Sequence, residues 1–344
     1  MSLTSHLADP TSPVRGFIEE RVPIIGFSKR GELLAEGWAK ILGINELPRT
    51  PVRPPKASVA DRRFVGTALD YRIRYYFGSS DSAHLVARHG AALLSSKPMR
   101  EFRGALKLEP GEVYSDEPPP KEAKNVAQLV PEFFTSLDSV LARINPVRRR
   151  LTQKDEEELA RYCLALAHFE AFYRAGVQIN SPFYELKKNA TLFDLLEVPP
   201  HECVEDLCAL SWDFEMSANH LFIMPAELNP TFEGSIDVGG ADADMVLGDH
   251  LFEIKTMTTP RPQDLRYAIT QLLGYTLLDY RDRFGIRNLS ICFTRQDKIW
   301  SSPLWHFLVP PATLVQFLTD GQRPSEREID ESLKRLRSDF RDIL

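Results

Sequence analysis

Two rhythms of apolar and polar positions divide this 344-residue chain. Through the first two thirds, apolar residues recur every three to four positions, the spacing of amphipathic helices. This predicts short helices over Val14–Val22 and Glu32–Leu42, the second with Leu33, Leu34, Trp38 and Ile41 on one face. It predicts longer ones over Val65–Phe77, Ala83–Ser95 and Asn125–Ile144, where Val126, Leu129, Phe133, Leu137 and Leu141 fall in register. Thr152 can cap a further helix reaching about Ala175, with Glu156, Glu157 and Glu158 near its positive end and Leu159, Tyr162, Leu166, Phe169 and Phe172 as core. Phe183–Glu197 and Glu202–Ser217 read as further helical pieces. Met1–Pro13 reads as a mobile end, Arg49–Lys56 as a proline-rich connector and Pro110–Lys124 as an exposed loop.

After Pro225 the rhythm shortens. Phe232–Val238 alternates and carries a glycine, as a first strand or hairpin would. Met245-Val-Leu247, the turn pair Gly248-Asp249 and Leu251–Thr256 read as strand, turn, strand. A helix is expected over Pro262–Arg283, capped by Thr259 and ended by Gly285, with Leu265, Ile269, Leu272, Leu273, Thr276 and Tyr280 as its buried stripe. Strands follow at Leu289–Phe293 and Leu304–Leu308, then a charged helix over Glu326–Leu344. Strands, helix, strand predict an α/β fold, a mixed central sheet flanked by helices. The expected division is an N-terminal helical segment (1–78), an inserted helical lobe (79–224) and the sheet-bearing core (225–344).

The strand after Gly248-Asp249 carries the candidate chemistry. Side chains alternate faces along a strand, so Glu253 and Lys255 point one way and Ile254 the other. Asp244 begins the neighbouring strand and can reach the same face, and Asp242 shares its parity. Two carboxylates and an ammonium held together invite a divalent cation. The plain alternative is a polar edge strand with a solvated Glu–Lys pair. On the following helix, Gln271 and Tyr275 stand four apart and share a face.

Asp244, Glu253-Ile-Lys255 and Gln271-x-x-x-Tyr275 together resemble the PD-(D/E)XK nuclease superfamily in its RecB-type branch. Ala243 stands where the name-giving proline would be. The resemblance implies a nuclease-like fold and metal-dependent hydrolysis of phosphodiesters, most readily in DNA, for repair or defence against foreign DNA. It implies that Asp244, Glu253 and the Ile254 carbonyl hold Mg2+ or Mn2+, with Asp242 as a further ligand. It implies that Lys255 orients the attacking water, and that Gln271 and Tyr275 position Lys255 and the strand. The branch also begins with a Gly-x-x-x-His-x-x-x-Glu helix. Gly66, Asp70 and Arg74 resemble it, with Asp70 in the histidine position, which makes Asp70 a candidate ligand or, alternatively, the helix partner of Arg74. Some members carry an iron–sulfur cluster with three cysteines after the Gln-x-x-x-Tyr helix. Only Cys292 lies there, so none is expected. Endonuclease and exonuclease action both stay open. So does a catalytically silent relative that binds nucleic acid or a protein partner. No nucleotide-binding loop is visible, so an ATPase or specificity factor would be a separate protein partner.

Composition adds limits. A net charge of −6 argues against binding nucleic acid over the whole surface, though not against a local basic groove. The richest such stretch is Arg62, Arg63, Arg72 and Arg74 interleaved with Tyr71, Tyr75 and Tyr76, a candidate for phosphate contact. Cys163, Cys203, Cys208 and Cys292 lack metal-site spacing and read as buried free thiols. No apolar run reaches bilayer length and the first residues are polar, so a cytoplasmic protein with no membrane contact is expected.

Overall fold

The computed structural model describes residues 2–21, 51–78, 86–94, 121–175, 181–217, 223–309, 314, 316 and 319–344. The expected helix over Glu32–Leu42, the start of the Arg49–Lys56 connector, most of the Pro110–Lys124 loop and the ends of the Ala83–Ser95 segment lie outside these residues. The chain forms two compact units. A sheet unit takes its described residues from 2–21, 51–52 and 223–344, and a helical unit takes them from 53–217. The dividing lines therefore differ from those expected: the helix at Val65–Phe77 belongs with the helical unit, and the first 21 residues belong with the sheet.

In the helical unit, α3 (Arg62–Phe77), α4 (Val86–Ala92), α5 (Ala123–Ile144), α7 (Leu192–Leu196) and α8 (His201–Ser217) all touch the central α6 (Gln153–Ala175). The aromatic positions picked out by periodicity form its core. Phe133 packs on Phe169 with ring centroids 5.2 Å apart, and Phe169 on Phe183 at 5.1 Å. The segment expected as one helix over Phe183–Glu197 is broken: Pro182–Glu185 makes a single 3-10 turn, and Thr191 starts α7 with a reciprocal cap from Asp194. Two helices close tightly at Gly90, where a Cβ would sit 1.7 Å from the Phe169 carbonyl oxygen.

Among the described residues, the sheet unit carries five strands in chain order: β1 (Ala226–Leu228), β2 (Met245–Leu247), β3 (His250–Lys255), β4 (Asn288–Phe293) and β5 (Lys298–Pro303). All pairs are antiparallel except β3–β4. That parallel pair needs a crossover, and α9 (Pro262–Leu278) supplies it. Leu251, Glu253 and Lys255 of β3 sit level with Leu289, Ile291 and Phe293 of β4. The apolar members of this face join Leu265, Ile269, Leu272 and Leu273 of α9 in one core. Full burial of each such side chain contributes about 1.5–3 kcal/mol.

α1 (Leu3–Ala8), α2 (Pro13–Arg21) and α10 (Glu326–Asp342) pack on α9. The expected mobile N-terminus is instead α1, capped by Ser2, with Leu3 and Leu7 buried in the same core. Phe232–Val238 is not a strand. Ser235 closes a 3-10 turn there, accepting from the Phe232 N–H at 3.0 Å and donating to the Ala241 carbonyl at 2.6 Å. Gly234 is required because a Cβ would meet the Tyr280 ring at 2.5 Å. The last strand among the described residues is Lys298–Pro303, and Leu304–Phe307, expected as a strand, is a 3-10 turn after it. Proline is tolerated at the end of this edge strand. α9 ends at Leu278, short of Arg283, because Asp279 turns its carboxylate back to accept from the Arg283 and Phe284 N–H groups. Its start is capped by Asp264, which accepts from the Arg261 N–H at 3.0 Å, rather than by Thr259. Tyr280 lies beyond the helix and donates to Asp237. Among the described residues, no helix is long and apolar enough to cross a membrane. All four cysteines are unpaired and buried.

Candidate active site

The candidate residues meet where β2 ends and β3 runs past it. The register pairs Met245 with Phe252, so one step further puts Asp244 level with Glu253. Asp244 uses that position to cap β3: its carboxylate accepts the Ile254 N–H at 2.6 Å. A residue that turns its N–H toward an antiparallel neighbour turns its C=O the same way. The Ile254 carbonyl therefore faces the Asp244 side. Lys255 Nζ donates to Glu253 Oε1 at 2.6 Å, along the strand face the alternation predicts.

This pair is not solvated, as an edge-strand pair would be. The Glu253 side chain is only 6% exposed and that of Lys255 20%. Burial alone would lower the Lys255 pKa, but the Glu253 carboxylate outweighs it, with Asp244 adding, and holds the ammonium above its usual range. The second carboxylate oxygen of Glu253 is buried and has no hydrogen-bond partner. An ionised oxygen in that state carries a large desolvation cost.

α9 covers the same face. Gln271 and Tyr275 are both buried, and the Gln271 amide N–H donates to the Tyr275 hydroxyl at 2.9 Å. That contact leaves the phenolic proton available for donation. Gln271 Oε1, like Glu253 Oε2, is buried without a partner. Burial pushes the Tyr275 phenol well above its usual pKa; Glu253 adds to this, and so do Asp244 and Asp242, against the Gln271 contact. Tyr275 thus feels all three carboxylates. Asp242 is exposed and accepts from the Thr231 hydroxyl at 3.0 Å, next to the bridge between those two residues.

Asp70 belongs to the helical unit, where it pairs with Arg74 one turn along α3. This matches the helix-pair alternative for that residue. The basic and aromatic stretch around it turns inward. Arg72 is 1% exposed, and Tyr71, Tyr75 and Tyr76 are buried, so these groups cannot meet a phosphate at the surface. Arg63 is exposed, against the Phe64 ring.

Some neighbours escaped the sequence reading. Tyr267 lies one turn before Gln271 on α9, and its phenol responds to the charges of Lys255 and Glu253. Its spacing from Gln271 and Tyr275 is the signal that could have found it. Thr294, Arg295 and Gln296 leave β4 beside the segment that leaves β3, as parallel strands require. The fully buried Arg295 donates to the Thr256 carbonyl at 2.7 Å. Gln296 donates to the carbonyls of Met257 at 3.1 Å and Thr258 at 2.9 Å. These side chains fix the backbone just after Lys255. Phe232 stacks on Tyr275 with centroids 5.5 Å apart and fixes that ring.

Among the described residues, no three His, Cys, Asp or Glu side chains form a metal-holding group. The oxygen donors on offer are Asp244, Glu253 and the Ile254 carbonyl. That set suits Mg2+, which is held by one or two carboxylates and keeps waters or substrate phosphates as its other ligands. No family model matches the chain, and no curated protein or solved structure matches it.

Proposed function

We propose that this chain is a metal-dependent nuclease of the PD-(D/E)XK type, hydrolysing phosphodiester bonds, with DNA as the first substrate to test. The observation that carries the reading is the buried, unpartnered oxygen of Glu253 beside Asp244, Ile254 and Lys255. A divalent cation answers that cost, and the donors present are the hard oxygens it prefers. The order of strand, turn, Glu-x-Lys strand, Gln-x-x-x-Tyr helix and parallel strand supports the same reading.

When bound, such a cation neutralises phosphate charge and makes water a better nucleophile. The chain's own groups do the rest. Asp244 and Glu253 would hold the cation with the Ile254 carbonyl. Asp242, at the exposed margin, is placed to join through water. Lys255, kept cationic by Glu253, orients the attacking water and offsets phosphate charge. Gln271 and the Phe232 stack fix the buried Tyr275 ring, whose part in this reading is to position the site from within. Asp70, taken up by Arg74, is left out of this set.

The test is incubation with linear, circular and single-stranded DNA and with RNA, each with and without Mg2+ or Mn2+. Metal-dependent cleavage lost in Lys255→Ala, with cation binding retained, supports the proposal. Wild-type cleavage by Lys255→Ala sinks it. Nucleic-acid binding with no cleavage under any of these conditions would mark a silent relative instead.

A further inference from the structure

In the helical unit, the turn joining α5 to α6 presents Arg148, Arg149 and Arg150 in succession, all exposed. Trp212 of α8 stands beside it, with the Arg150 guanidinium over its ring, 5.6 Å from the centroid. We infer that Arg149, Arg150 and the Trp212 indole form a phosphate-binding site for a single nucleic-acid strand; the class of ligand rests on the nuclease reading above.

Three observations point there. The first is charge. The acidic start of α6 could absorb these arginines, but its carboxylates are engaged by other residues. Arg143 donates to Asp155 at 3.1 Å and also to Glu158. Arg72 holds Glu156 and Glu215, and Gln153 donates to Glu157 at 2.9 Å. Among the described residues, no carboxylate forms an ion pair with Arg149 or Arg150, and Arg150 acts on Glu215 only at longer range. Two adjacent guanidiniums without ion pairs make a local positive field that draws an anion.

The second is an unmet donor. The Trp212 indole N–H is buried and has no hydrogen-bond partner. An indole nitrogen only donates, so the group that satisfies it is an acceptor, such as a phosphate oxygen. A guanidinium engaged through its face keeps its in-plane N–H groups, and their fork matches the paired oxygens of a phosphate. The third is rigidity. Arg148 has φ +48°, in the left-handed region that arginine seldom enters. Its N–H donates to the Tyr76 carbonyl of α3 at 2.7 Å and holds the turn there. An anion binding at this turn has little chain left to order.

A nucleic-acid strand answers more of the site than a free anion does, because it brings a base to the half-buried aromatic ring beside its phosphate. An acidic protein segment would meet the arginines but offers no such base.

The competing account is a solvated turn. Anisotropy of a labelled single-stranded oligonucleotide measures binding to the full chain carrying Lys255→Ala, so that cleavage does not interfere. Arg149→Gln with Arg150→Gln is expected to weaken binding about tenfold. It should also lower the log–log salt slope by about 1.4, the value for two contacts on a single strand. Lys187→Gln with Lys188→Gln removes the same charge from exposed positions elsewhere in the unit and should change affinity less than about twofold. Trp212→Phe keeps a ring but loses the N–H, and should weaken binding about threefold with the salt slope unchanged. The change in tryptophan emission on adding unlabelled oligonucleotide should shrink in the same variant. Equal binding by the arginine and lysine pairs, or no oligonucleotide binding by their parent, overturns the site. Displacement by poly-glutamate as effective as by unlabelled oligonucleotide at equal charge would give the site to an acidic protein segment and also overturn the assignment. Absence of metal-dependent cleavage by the wild-type chain removes the nuclease reading separately and leaves the binding differences readable.

Discussion

Two buried charge clusters, one in each unit, handle the same electrostatic problem in opposite ways. In the helical unit, Arg72 is 1% exposed and grips Glu156 with both ends of its fork, at 2.7 and 2.8 Å, while also reaching Glu215 at 2.9 Å. Each charge there has an opposite charge against it. In the sheet unit, Lys255 engages one oxygen of Glu253 and leaves the other buried and unpartnered, with an amide oxygen of Gln271 in the same state nearby. A satisfied cluster can be purely structural. An incomplete one is a cost the fold retains, and the natural account is a group that completes it.

That contrast can be broken at several points. The largest effect should come from Glu253→Gln, which keeps the shape but removes the charge. Metal-dependent cleavage is expected to fall on the order of a thousandfold, about 4 kcal/mol of transition-state stabilisation. Its urea midpoint should move far less than that of an Arg72 variant. Arg72→Ala leaves Glu156 without its partner in a fully buried place. A loss of about 3–5 kcal/mol is expected from urea unfolding followed by circular dichroism. If the two variants prove equally destabilising, the distinction between a structural cluster and a functional one fails.

A divalent cation should sharpen the comparison further. At a hundred times its dissociation constant, Mg2+ or Mn2+ should stabilise the wild-type chain by about 2.7 kcal/mol. The same titration should leave the melting temperature of Glu253→Gln nearly unchanged. Arg72→Ala should still show the cation's effect on whatever folded fraction it has. A cation response that survives Glu253→Gln would move the metal elsewhere.

The smallest effect is a pH dependence in the helical unit. Burial pushes the Glu215 carboxyl up to about 6, with Glu156 adding and Arg72 opposing. A carboxyl whose folded pKa is raised binds more protons folded than unfolded between its ordinary value and about 6. Glu215 therefore contributes a loss of stability as pH rises through that window. Glu215→Gln should flatten the drift between pH 4.5 and 6.5, read as urea midpoints at closely spaced pH. An unchanged slope would exclude Glu215 as its source.

Much of the site was legible because short-range rules govern it. Alternation put Glu253 and Lys255 on one face, and helical spacing put Gln271 and Tyr275 together; both follow from backbone geometry alone. Their burial was not legible, since it depends on α1, α2 and α10 closing around α9. The same reason explains Arg72, which reads as part of a basic surface until Glu156 of α6 and Glu215 of α8 supply its partners. The turn at Ser235 imitated a strand because its alternation is real, but its hydrogen bonds close on Ala241 rather than on a neighbouring strand. Lys298–Pro303 did the reverse. Its two serines and proline look like a turn, and only pairing with β4 makes it a strand.

The placement of α1 on α9 has a consequence for how the protein is made. Leu3 lies directly beneath Gly274, where even an added Cβ would come within 3.0 Å of its side chain. Synthesis proceeds from the N-terminus, and N-terminal regions generally fold first. Here the opening helices emerge from the ribosome while the surface they cover does not yet exist. The residues of the helical unit come out next and can condense among themselves. The sheet unit must wait for its last third, so Leu3 and Leu7 find shelter only long after they are made, and a holding chaperone has a long opportunity at α1 and α2.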